Sequence, residues 1–171
     1  MIIPQKPENE DQRLQALRSL LILDTTHEER FDRITQFACF EFDVPIALVS
    51  LVDEHRQWFK SFVGIDACET SRDISFCAHA ILEDCVMVVE DAIRDERFHD
   101  NPLVISDPFI RFYAGAPLTL PTGERVGTLC LIDRKPRSFD STDLSILVTL
   151  SHMVVAELVP SLAGKIGEQN E

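Results

Sequence analysis

A cation and a phenol two residues apart, Arg111 and Tyr113, are the side chains of this sequence best spaced to grip a small molecule. Residues 110–118, I-R-F-Y-A-G-A-P-L, follow the two-residue period of a strand. Ile110, Phe112, Ala114, Ala116 and Leu118 make one apolar face; Arg111, Tyr113 and Gly115 make the other. A strand of this kind either walls a pocket or turns its polar face to water. A guanidinium in a partly enclosed site pairs with a buried carboxylate, for which Asp91 is the candidate, or holds an anion. Cys77 and His79 are the second pair to weigh, since a thiolate nucleophile needs a base nearby. Residues 73–83 read as helix-forming, and helical positions two apart do not face each other, so no dyad is expected. Asp95 with His99, and Asp53-Glu54-His55, match no recognised metal-ligand set. Neither a Gly-rich phosphate loop nor a G-x-S-x-G elbow occurs.

The elements that must position these residues follow from periodicity and punctuation. Residues 1–9, with Pro4 and Pro7, read as a flexible tail. A helix is expected over 10–23, with Leu14, Leu17, Leu20 and Leu21 at helical spacing, and another over 27–42 after the capping cluster Asp24-Thr25-Thr26. Strands over 46–53 and 57–63 should form a hairpin, with Trp58, Lys60 and Phe62 sharing one face of the second. Residues 64–72 read as loop, 74–83 as a short helix and 86–90 as a third strand. Residues 91–108 show no sustained period, and so long a connection inside a compact domain is usually functional. A second hairpin, 109–118 with 125–133, precedes a last helix over 141–159, and 164–171 read as a second flexible tail. The whole is an α+β architecture with a mainly antiparallel sheet, a single domain over 10–163.

Composition narrows the partners. A net charge of −13 disfavours a nucleic-acid backbone or an anionic membrane as partner. The five cysteines form no C-x-x-C pair, and several sit in apolar runs, an inventory suited to the reduced cytoplasm. The N-terminus lacks the basic-then-apolar order of a signal peptide. Residues 144–163 are apolar, but Ser145, Thr149, Ser151, His152, Glu157 and Pro160 argue for a buried or partner-facing helix over a membrane span.

Several segments together carry a resemblance. E-T-S-R-D-I-S-F-C-A-H-A-I (69–81), V-E-D-A (89–92), D-E-R-F (95–98), N-P-L-V (101–104), residues 110–118 and G-T-L-C-L-I-D (127–133) occur in the order seen in GAF domains. The chain resembles the bacterial sensory subgroup that stands alone or precedes diguanylate cyclases and histidine kinases. The resemblance implies a six-stranded antiparallel sheet, N- and C-terminal helices on one face and a loop-covered pocket on the other. It implies a non-enzymatic sensor that binds a small molecule and signals through its terminal helices as a homodimer, to an output domain or a kinase or cyclase partner. The implied pocket residues are Trp58, Phe76, Cys77, His79, Asp91, Arg111 and Tyr113. Each has a plainer role: Phe76 and Cys77 as core, Asp91 as a turn cap, Trp58 as cover for the sheet. The competing class is an interaction module whose pocket is filled by its own side chains. The N-K-x-x-F-D-E pattern of cyclic-nucleotide-binding members is absent. The pigment-bearing Cys-His of bilin-binding members is replaced by Cys77-Ala78-His79, and 91–109 lack the loop cysteine of the methionine sulfoxide reductases.

Overall fold

A computed structural model describes residues 1–168, with side chains described through Val159. Helix α1 (Glu10–Ser19) stops short of the expected boundary. Leu21 and Asp24 take positive φ (53° and 60°), which turns the chain away before another helical turn can form. Helix α2 (Glu29–Phe42) ends on Asp43 in the left-handed conformation, whose N–H caps the carbonyls of Cys39 and Phe40.

The strands are β1 (Ile46–Val52), β2 (Arg56–Val63), β3 (Glu69–Ser71), β4 (Met87–Val89), β5 (Phe112–Thr119) and β6 (Arg125–Asp133). They form one six-stranded antiparallel sheet in the order β3-β2-β1-β6-β5-β4. The strand missed by periodicity is β3, because three residues of exposed and half-buried character carry no readable alternation. The irregular region contains a single 3-10 turn (Ala92–Arg94) and the one-turn helix α4 (Pro102–Ile105), while α3 (Phe76–Ala80) follows β3. Helix α5 spans Ser141–Glu168. Of the tail expected at 164–171, residues 169–171 lie outside the described residues.

Alternation along the sheet divides the core in two. On the helix side, Leu17, Phe31, Ala38, Leu147 and Leu158 pack against Val49, Leu51, Phe112, Ala114, Leu118 and Leu129. On the distal side, Leu48, Phe59, Tyr113, Cys130 and Ile132 meet Phe76, Ala80, Ile81, Phe98 and Val104 from the short elements. The hairpin β1–β2 carries a bulge: Val49 pairs with Ser61 but Ser50 with Phe59, leaving Lys60 as the extra residue. Trp58, Lys60 and Phe62 therefore do not share one face. Trp58 joins the helix-side core and Phe62 the distal one. Lys60, 1% exposed, bonds Thr25, Thr26 and Glu28 and lies 5.6 Å from the Phe31 ring centre.

The N-terminal residues lie along the distal elements. The Ile2 N–H donates to the Arg97 carbonyl at 3.1 Å, and the Ile2 carbonyl lies 3.0 Å from His79 Nε2.

Candidate functional site

On the distal face, β1 and β2 leave the floor of a cleft open where the chain departs for β3. The cleft, of about 430 Å3, is lined by Leu48, Gln57, Phe59, Thr70, Leu103 and Ile110 among others, with Asp66, Asp107 and Arg134 near its mouth. That volume lies within the range of small-molecule sites, as does an apolar lining punctuated by a few polar groups. The turn that opens it depends on Gly64, at φ +84°, where a Cβ would sit 2.0 Å from the Pro45 carbonyl oxygen.

Gln57 joins this cleft to a buried polar chain. Its Nε2 donates to Thr70 Oγ1 at 2.6 Å, while its Oε1 accepts from Ser75 Oγ at 2.8 Å and Ser50 Oγ at 3.2 Å. Ser75 also caps α3, its Oγ accepting the Ala78 N–H at 3.0 Å. One residue into that helix, Cys77 Sγ accepts from Thr128 Oγ1 at 3.1 Å and Tyr113 Oη at 3.2 Å, and lies 3.8 Å from Cys130 Sγ. Burial pushes the Cys77 thiol up, but hydrogen bonds with Cys130, Thr128, Tyr113 and Ser50 outweigh it and hold the pKa below the usual thiol value. Burial drives Tyr113 and Cys130 well above their ordinary values. Among the described residues, no buried side-chain nitrogen or oxygen lacks a partner.

The seven residues expected at the pocket fall in three places. Phe76, Cys77, His79 and Tyr113 come together on the distal side. The Phe76 ring stacks on Phe98 at 3.9 Å and lies 5.2 Å from Tyr113, and His79 meets Phe98 edge-on at 5.0 Å. Burial lowers the His79 pKa. Tyr113 is fully buried, so it contacts Cys77 rather than the open cleft. Asp91 and Arg111 form a bidentate pair (2.8 and 3.0 Å) beyond the end of β4, and Arg111 holds the Asp91 carboxyl below the usual range. The pairing offered for Arg111 in place of an anion is thus the one observed. Trp58 points the other way, into the helix-side core, because it precedes the bulge on the helix-facing side of β2.

Sequence reasoning missed Gln57, Ser50 and Thr128. A signal existed: Ser50 and Thr128 interrupt otherwise apolar strands, I-A-L-V-S-L-V and R-V-G-T-L-C-L-I-D, where a hydroxyl must find a buried partner. No group of three or more His, Cys, Asp or Glu able to hold a metal occurs among the described residues. Residues Ser141–Val159 are long and apolar enough, by length and composition, to cross a membrane. In this fold α5 packs Leu147, Val154 and Leu158 against the sheet.

A central antiparallel sheet, terminal helices on one face and short elements over a cleft on the other make up one α+β domain. A GAF domain profile matches residues 26–158, and the chain belongs to the GAF family. It is 43% identical over 159 residues to a protein of Pseudomonas aeruginosa named cyclic di-GMP phosphodiesterase PA2567, covering 92% of this chain and 27% of that protein. The chain thus spans about a quarter of that relative's length. Its fold is similar to the GAF domain of a phosphoenolpyruvate-protein phosphotransferase from Coxiella burnetii (TM-score 0.68, 14% identity, 93% and 99% of the two chains). It is also similar to the free methionine-R-sulfoxide reductase of Neisseria meningitidis (TM-score 0.65, 18% identity, 96% and 98%).

The first of these similarities corrects the expectation of a non-enzymatic protein. A relative at 43% identity bears the name of a phosphodiesterase. The expectation weighed only nucleophiles and ligand sets within these 171 residues, which cannot register an activity carried by a longer protein built on the same domain.

Proposed function

We propose that this chain is a regulatory GAF module whose distal cleft binds a small molecule and whose occupancy controls cyclic di-GMP turnover by an associated catalytic unit. The observation that carries the reading is the cleft itself, with the Gln57 amide fixed at its floor by three hydrogen bonds. An amide held in this way presents a pre-oriented polar group beneath an apolar lining, which favours orientation-specific binding.

A mechanical link supports the regulatory part. Thr70 of β3 lines the cleft, and Arg72, two residues on, reaches the Glu10 carboxylate of α1. Glu10 also accepts two hydrogen bonds from Arg13, whose Nη1 donates to the Val52 carbonyl at 2.6 Å. A ligand that moves β3 therefore acts on the N-terminal helix through a buried ion pair. The exposed Phe37 and Phe40 of α2 and Met153 of α5 suit a homodimer through the helical face. The five free cysteines suit a reduced, cytoplasmic setting.

A thermal-shift screen of metabolites on the purified chain tests the cleft. A ligand at 100 times its Kd stabilises by about 2.7 kcal/mol, and Gln57→Leu should abolish the shift. Stabilisation of wild type and variant alike would remove the cleft assignment. Deleting the coding sequence should change cellular cyclic di-GMP, and an unchanged level would remove the second-messenger part. Sedimentation showing only monomer would exclude the homodimer.

A further inference from the structure

Two thiols face each other in the distal core from elements far apart in the chain. Cys77 lies in the first turn of α3 and Cys130 in the middle of β6, both buried, with their sulfurs 3.8 Å apart. Cys130 sits opposite Gly115 in the β5–β6 ladder. Because Gly115 has no Cβ, the Tyr113 phenol lies over it and delivers its hydroxyl to Cys77. Thr128 delivers a second hydroxyl to the same sulfur. Two hydroxyl donors aimed at one sulfur stabilise negative charge on it.

We propose that Cys77 and Cys130 are a peroxide-oxidised dithiol that closes reversibly to a disulfide. The Cys77 thiolate attacks one oxygen of hydrogen peroxide, forming an S–O bond as the O–O bond breaks. The hydroxide that leaves takes the proton shed by the Cys77 thiol and becomes water. Cys130 sulfur then attacks the Cys77 sulfenic acid: the S–S bond forms, the S–O bond breaks, and the departing hydroxide takes the Cys130 proton. Two thiols and one peroxide thus give one disulfide and two waters, with the sulfurs losing the two electrons that the peroxide oxygens gain. A small-molecule dithiol reverses the reaction by thiol–disulfide exchange. The lowered pKa of Cys77 suits the sulfur that meets the peroxide first.

The geometry also says what the bond would do. The sulfurs must approach from 3.8 Å to about 2.0 Å. Cys130 is fixed in the centre of the sheet between β1 and β5, whereas α3 is a helix of only five residues. The movement therefore falls on α3. Ser75, which caps α3, is bonded to Gln57, so the oxidation state is felt at the floor of the cleft. Local opening of so short a helix admits peroxide without global unfolding.

The test is peptide mapping of the reduced chain after one molar equivalent of hydrogen peroxide, with free thiols alkylated under native conditions and after denaturation. Cys68→Ser and Cys85→Ser are included to remove the exposed thiols. The expected product is a Cys77–Cys130 cross-linked peptide that dithiothreitol reverses. In Cys130→Ser, with its fold checked by circular dichroism, dimedone should label Cys77. Full recovery of Cys77 and Cys130 as reduced thiols from peroxide-treated wild type, with oxidation confined to Cys39, Cys68 or Cys85, would overturn the proposal.

Discussion

An alanine at position 115 would place its Cβ 2.2 Å from the Tyr113 hydroxyl, so the phenol would have to leave its place beside Cys77. The ring has nowhere comparable to go, being fully buried and 5.2 Å from Phe76. Gly115→Ala is expected to cost about 1–3 kcal/mol, the range for overpacking a close-packed interior. Chemical denaturation measures it, and a loss under about 0.5 kcal/mol, the scale of a neutral surface change, would mean that the phenol is free to move. At this scale the sequence was half legible. The alternation of residues 112–118 correctly separates Phe112, Ala114 and Leu118 from Tyr113. It does not say that the polar face of the strand is buried, because burial comes from Phe76 and Phe98, on elements too short to show a period.

At the level of elements, β6 is the keystone, with β1 on one side and β5 on the other. Gly127 lets β1 approach it: a Cβ there would lie 1.9 Å from the Ser50 carbonyl oxygen and 2.9 Å from Leu51 Cα. Both obstacles are backbone and cannot rotate aside. Gly127→Ala should therefore lower stability by at least about 2 kcal/mol and the melting temperature by roughly 4–8 °C. Calorimetry reads it directly, and an unshifted melting temperature would refute the clash. Hairpins, the terminal helices and strand polarity were legible because they rest on long periodic runs. The register of β2 was not, since a bulge adds one residue and exchanges faces from that point on, while leaving composition and length unchanged. Trp58, placed at the pocket by the family resemblance, packs beneath the helices in the fold, while Phe62, beyond the bulge, joins the distal core.

Across the whole molecule, one ion cluster ties the N-terminal helix to the distal elements. Burial alone would raise the Glu10 carboxyl, but hydrogen bonds from Arg72 and Arg13, with their charges, pull its pKa from 4.5 to about 2. A depressed carboxylate pKa stabilises the fold above the unfolded value and ceases to do so as pH falls through the folded one. Stability should thus decline between about pH 4.5 and pH 2, and Glu10→Gln should be less stable than wild type at pH 7 yet flatter across that window. If the unfolding free energy, measured in urea, changed equally between pH 5 and pH 3 in wild type and Glu10→Gln, Glu10 would not carry the effect. The sequence holds a single tryptophan, Trp58, 7% exposed and on the opposite side of the sheet from the cleft. It makes the chain a reporter of its own fold. Indole emission will redden when the helices detach and uncover the ring, so a fluorescence trace follows loss of the helix-side core without any added dye.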